Sequence, residues 1–245
     1  MEYHIRCRKG DVAKCVLLPG DPGRAEWIAE NFFDEYRTVA KNREFWTFTG
    51  KYKDMEISVT STGIGSPSAA IAIEELIRVG AKCFIRVGTS GSLQPFINLG
   101  DIIIATGAVR DEGTTHQYVP PEYPAVASFK LLTYLSKAAE ESNARYHIGI
   151  VHSKDAFYSE YEEEVPKADI TARWKTWEKA NVLATEMESA ALMVVGSIRK
   201  VHVGTVLTII GSTHTGEPVS SEKISLEPMI RIALEAGHAF LSDEK

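Results

Sequence analysis

Short apolar runs alternate with amphipathic stretches along the chain, and the two periods, two and 3.6, mark out the elements. "KCVLLP" (14–19) reads as a buried strand and "DPGRAEWIAENFF" (21–33) as the helix it feeds. Asp21 is the natural N-cap, and Pro22 takes the first helical position, where its missing N–H costs nothing. "EFWTFTGKYKDMEISVTST" alternates around a turn near Tyr52 to Asp54, the pattern of a hairpin or meander. "SPSAAIAIEELIRVG" (66–80) has helix composition and Gly80 as its stop, and Cys83 to Val87 returns as a strand. Further strands are expected at "DIIIATGAV", "YHIGIVHS" and "VHVGTVLTII", with helices at about 126–143, at 188–199 and at about 222–241. Strands and helices in this order predict an α/β fold, with a central mixed, mostly parallel sheet flanked by helices. No repeat, low-complexity segment or linker divides residues 1–245, so a single domain is expected.

Composition narrows the class. With 44% hydrophobic and 24% charged residues the chain has the make-up of a globular protein, and no apolar run approaches the roughly 18 residues of a membrane span. The polar start "MEYHIRCRKGDVAK" lacks the apolar core of a signal peptide, so a cytoplasmic protein without membrane contact is expected. Cys7, Cys15 and Cys83 are odd in number and lack metal-ligand spacing, so neither a disulfide framework nor a metal site is expected. The acidic run "EYEEE" (160–164) reads as a solvated face. A net charge of −6 argues against a nucleic-acid partner, and any bound anion has to be held by local arginines.

Arg86 is the residue that breaks the pattern, because it stands inside the apolar run "CFIRV". A buried guanidinium costs several kcal/mol unless a carboxylate or an anion meets it. Two segments, "LPGDPGR" (18–24) and "RVGTSGS" (86–92), follow apolar strands and combine glycines with an arginine, as a phosphate-binding loop does. Neither matches GxGxxG or GxxxxGK[ST], which speaks against a dinucleotide or a nucleoside triphosphate. In "ATEMESAAL" (184–192), Glu186 and Glu188 flank Met187. Only one of the two carboxylates is expected to line a pocket, where it can accept hydrogen bonds from a sugar diol. Arginines for phosphate and a glutamate for a diol suggest a ribosyl substrate.

"PGDPGR", "NREF", "STGIGSPSAAIAIEEL", "IRVGTSGSLQPFINLGD", "EYPAVASF", "DAFY" and "EMESAAL" stand in the order and spacing of the nucleoside phosphorylase-I family, which the chain resembles over nearly its whole length. Members of that family are hexameric purine nucleoside, uridine and 5'-methylthioadenosine phosphorylases. The resemblance implies an α/β fold and reversible phosphorolysis of a nucleoside to free base and ribose-1-phosphate, with phosphate as co-substrate and no cofactor. "QPFINLGD", "EYPAVASF" and the insertion carrying "WEKANV" look most like the uridine branch. Carried over by motif, Gly20, Arg24, Arg86 and Thr89 would contact phosphate, and Arg43 would reach the phosphate of an adjacent subunit. Glu188, Met187, Thr89 and His4 would hold the ribose, His4 from across a dimer interface, in a homo-hexamer built as three dimers. Phe157, Tyr161, Glu186 and His214 are the residues expected around the base. Arg86, Glu188 and His214 would carry the catalysis, while His116, His147, His152, His202 and His238 are expected to be structural or surface residues.

The motifs depart from both branches at the base. "IIGSTHTGEP" (209–218) lacks the aspartate with which purine enzymes of the family meet the base. The glutamine and arginine of uridine enzymes are absent after Tyr158, where Tyr161 and Glu163 stand instead, and the later loop offers Thr213 and His214. A uridine phosphorylase with altered base contacts is the first expectation. A purine or methylthioadenosine phosphorylase is the second, and a nucleoside-binding protein with little catalysis is the alternative of another class.

Overall fold

β1 (Cys15–Leu18) is buried along its length and feeds α1 (Pro22–Phe32). The Asp21 carboxylate accepts the Arg24 N–H at 2.6 Å, a cap worth about 1 kcal/mol that also fixes Arg24 in the first turn. This computed structural model describes residues 1–158, 170–212 and 224–243. After α1 come β2 (Tyr36–Asn42), β3 (Phe45–Tyr52) and β4 (Met55–Thr60): β3 and β4 form the expected antiparallel pair, and β2, which was not expected, extends it to a meander. α2 (Ser66–Val79) stops at Gly80, whose φ of 118° is open only to glycine at little cost. β5 (Cys83–Ser92), β6 (Ile102–Asp111), β7 (Ala125–Val126), α3 (Phe129–Glu140) and β8 (Tyr146–Lys154) follow. The chain closes with α4 (Ile170–Lys179), β9 (Ala184–Glu186), α5 (Ser189–Arg199), β10 (His202–Ser212) and α6 (Glu227–Asp243).

The strands form one sheet in the order β10-β6-β8-β9-β5-β1-β4-β3-β2, and β10 returns to pair with β5. Five strands thus close on themselves, and β5 sits at the junction with three neighbours, β1, β9 and β10. The sheet is mixed, as the alternation predicts. Parallel pairing joins β1 to β4 and β5, β10 to β5, and β8 to β6 and β9. Antiparallel pairing is more prominent than expected, because the meander, β9 and β10 all add it. Side chains alternate between two cores. Val16, Leu18 and Phe84 pack with α2 and α5 on one face; Leu17, Cys83 and Ile85 pack with α1, α3 and α6 on the other. Among the described residues no helix is long and apolar enough to cross a membrane.

Several elements differ from the sequence reading. β5 does not end at Val87: it continues through Gly88, Thr89, Ser90 and Gly91 because β10 pairs with it as far as Ser212. "RVGTSGS" is therefore strand, and no helix follows it directly. α4 was not expected, since its sequence ITARWKTWEK is mostly polar; Trp174 and Trp177 lie against His152 with ring centroids 5.7 and 5.5 Å away. α3 and α6 begin at Phe129 and Glu227, later than 126 and 222.

Candidate active site

The carboxyl ends of β1, β5, β8, β9 and β10 open into one cavity of about 810 Å³, within the range of small-molecule sites. Gly20 and Arg24 line it from the β1–α1 turn, Arg86, Thr89 and Ser90 from β5, and Glu186, Met187 and Glu188 from the end of β9. Lys154, Phe157 and Tyr158 close the far side from β8 and the segment after it.

Arg86 is 4% exposed, and two carboxylates meet it. Its Nε donates to Glu186 Oε2 at 2.9 Å and its Nη2 to Glu188, while buried Nη1 has no partner among the described residues. Part of the sequence reading is thereby corrected: the protein itself supplies the counter-charge for Arg86, and an anion would add to it at Nη1. Gly88 makes the arrangement fit, since a Cβ there would stand 2.6 Å from Arg86 Nη2. Burial pushes the guanidinium pKa down, but the two carboxylates outweigh it and hold it raised. For Arg24, burial and then the nearby charge of Arg86 lower the pKa. Two guanidiniums that repel one another across a cavity form a site prepared for an anion.

Both Glu186 and Glu188 line the cavity, which corrects the expectation that one alone would: residues two apart on an extended segment share a face. The strand ends at Glu186, Glu188 stands before α5 with φ −134° and ψ −24°, and both carboxylates meet Arg86. Glu186 is saturated by its own chain. Besides Arg86, it accepts the N–H groups of Glu188 and Ser189 at 2.9 and 3.0 Å and the hydroxyl of Ser153. It lines the cavity, but it holds Arg86 in place and has little left to offer a base. Glu188 accepts from Gly65 N–H at 2.6 Å and from Arg86, which leaves lone pairs on both oxygens for two hydroxyls. Burial, followed by the neighbouring Glu186, raises the Glu188 pKa despite Arg86.

His4 and Arg43 do not line this cavity. The His4 ring meets buried Glu75, Nδ1 to Oε1 at 2.6 Å. Arg43 is exposed on the β2–β3 turn, and the adjacent Asn42 donates to the His4 carbonyl at 2.6 Å, so the two residues share one stretch of surface. Tyr161 and His214, like Glu163 and Thr213, lie outside the described residues. The other histidines have partners within the fold: His147 with Asp101, His152 with Asp111, His202 with Ser128, His238 with Asp54 and His116 with the Arg110 carbonyl. Sequence reasoning missed Lys154. A lysine closing an apolar strand just before "DAFY" was its signal, and it is 6% exposed inside the cavity.

A pocket lined by two guanidiniums beside a carboxylate with lone pairs to spare, at the strand ends of a mixed α/β sheet, suits an anion next to a hydroxyl-bearing group. Residues 14–242 match the phosphorylase superfamily, and the chain belongs to it. It is 47% identical to the uridine phosphorylase of Treponema pallidum over 240 residues, covering 96% of this chain and 92% of that one. It is 39% identical to the guanosine phosphorylase of Halorubrum lacusprofundi over 242 residues, covering 95% and 96%. The crystal structure of uridine phosphorylase from Vibrio fischeri superposes with a TM-score of 0.87 at 36% identity, covering 98% of this chain and 96% of that one. The resemblance read from the motifs holds.

Proposed function

We propose that the chain is a nucleoside phosphorylase that cleaves uridine with inorganic phosphate to uracil and ribose-1-phosphate, without a further cofactor. The observation that carries this is the convergence of Arg24, Arg86 and Glu188 on one cavity. Phosphate sits against Gly20, Arg24, Thr89 and the open Nη1 of Arg86. The ribose lies over Met187 with its two hydroxyls on Glu188, and the base faces Phe157, with Tyr161 and His214 kept as further candidates about it.

The reaction then needs little covalent help. Arginines fix one phosphate oxygen on the anomeric carbon, and the diol contact fixes the ring, so two reactants behave as one. As the bond to the base breaks, positive charge develops on the sugar, and the phosphate dianion faces it. Glu188 adds to this, because an acceptor that is itself charged binds the hydroxyls more strongly as the ring becomes electron-poor.

The same reading makes the protein a cytoplasmic homo-oligomer, a hexamer of three dimers. His4 and Arg43 share one exposed surface outside their own cavity, as residues serving an adjoining subunit's ribose and phosphate would. A purine substrate is the second reading, supported by the likeness to a guanosine phosphorylase. Uridine, guanosine, inosine and methylthioadenosine at one phosphate concentration separate the two. Uridine should give the highest kcat/KM; a purine nucleoside ahead of it would move the enzyme to the purine side.

A further inference from the structure

Across the sheet the cavity changes character in a fixed order. The turn after β1 brings Gly20 and Arg24, β5 brings Arg86, the end of β9 brings Glu188, and β8 brings Lys154. Strands stand about 4.8 Å apart and β9 alone separates β8 from β5, so Lys154 lies two spacings, roughly 10 Å, from the strand that carries Arg86. That separation is about the length of a nucleoside. Phe157, Tyr158 and Ile210 line the cavity with Lys154, and the charge of Glu186 reaches it from β9. Nζ lies 5.5 Å from the Phe157 ring centroid and 5.2 Å from that of Trp174. Lys154 is thus a buried cation set against two aromatic rings at the edge of the cavity.

We propose that Lys154 is a catalytic residue of the phosphorolysis argued above, its ammonium donating a hydrogen bond to a ring carbonyl oxygen of the departing base. The proposal rests on that reading of the site. In the step, an oxygen of monohydrogen phosphate forms a bond to the anomeric carbon, and the bond from that carbon to the base nitrogen breaks. Its electron pair passes into the base ring and onto the carbonyl oxygen, where the ammonium meets the new charge. The base anion then takes a proton from water, and the sugar phosphate gives one up to water. Burial lowers the Lys154 pKa to about 8 against the opposing pull of Glu186, which leaves the group mostly charged at neutral pH and a stronger donor than an exposed lysine. A donor here answers the departure seen in the motifs, where both ordinary sets of base contacts are missing.

The test is K154M, assayed with uridine and with 5-nitrouridine, whose base leaves as a more stable anion. A charge-assisted hydrogen bond predicts a loss of about 10- to 100-fold in kcat/KM for uridine, mostly in kcat. It also predicts a several-fold smaller loss for 5-nitrouridine and an unchanged KM for phosphate. K154Q, which keeps a donor without the charge, should fall between wild type and K154M, and it carries the same comparison should K154M not fold. Equal losses on both nucleosides, a raised KM for phosphate, or wild-type rates in the variants would overturn the role of Lys154 alone. A wild-type protein without phosphate-dependent cleavage of either nucleoside would overturn the reading of the site, and this role with it.

Discussion

Arg86→Met should destabilise the protein by about 3–5 kcal/mol and abolish turnover, because it strands two buried carboxylates rather than one. Glu186 and Glu188 share the guanidinium, and each is only 4% exposed. Without Arg86, the causes that already raise the Glu188 pKa, its burial and the adjacent Glu186, are opposed only by backbone hydrogen bonds from Gly65 and Met187. A carboxyl whose pKa is raised by folding contributes its stability in acid and loses it as pH rises through the folded-state value. The melting temperature of the variant should therefore lie closer to wild type in mild acid than at neutral pH. A melting temperature equal to wild type at neutral pH would mean that Arg86 does not hold the carboxylates at all.

Glu188→Ala should behave differently. Arg86 keeps Glu186, so the stability cost reduces mainly to the orphaned Gly65 N–H, about 1–3 kcal/mol. Activity should suffer far more. Two charge-assisted bonds to ribose hydroxyls, each worth roughly 1.5–3 kcal/mol, predict a fall in kcat/KM of about 10²- to 10⁴-fold. Steady-state kinetics with uridine, beside a thermal melt of the same sample, reads both quantities. Kinetics near wild type would reduce Glu188 to a residue that merely positions Arg86 and Gly65.

The fold was largely legible in the sequence, because buried strands and capped helices write their periods plainly. Asp21 and Pro22 announced α1, and Gly80 announced the end of α2. The full length of β5 was hidden, since glycines and small polar residues resemble a loop until β10 is known to lie beside them. In the site, Arg86 stood out as a charge in an apolar run, and the residues matched by motif in the phosphate and ribose groups fall into one cavity, apart from His4 and Arg43. What the sequence could not show was who holds whom. Glu186 and Glu188 share one guanidinium, and Glu186 is consumed by Arg86, Ser153 and Ser189. Lys154 was overlooked because a lysine at a strand end is usually solvated, and only the fold lays Phe157 and Trp174 beside it.

Phosphorus NMR of the enzyme with uridine and inorganic phosphate tests the central claim most directly. Inorganic phosphate should be converted into ribose-1-phosphate in step with the release of uracil, and no uracil should appear when phosphate is left out. Uracil released at the same rate without phosphate, with free ribose as the other product, would contradict it.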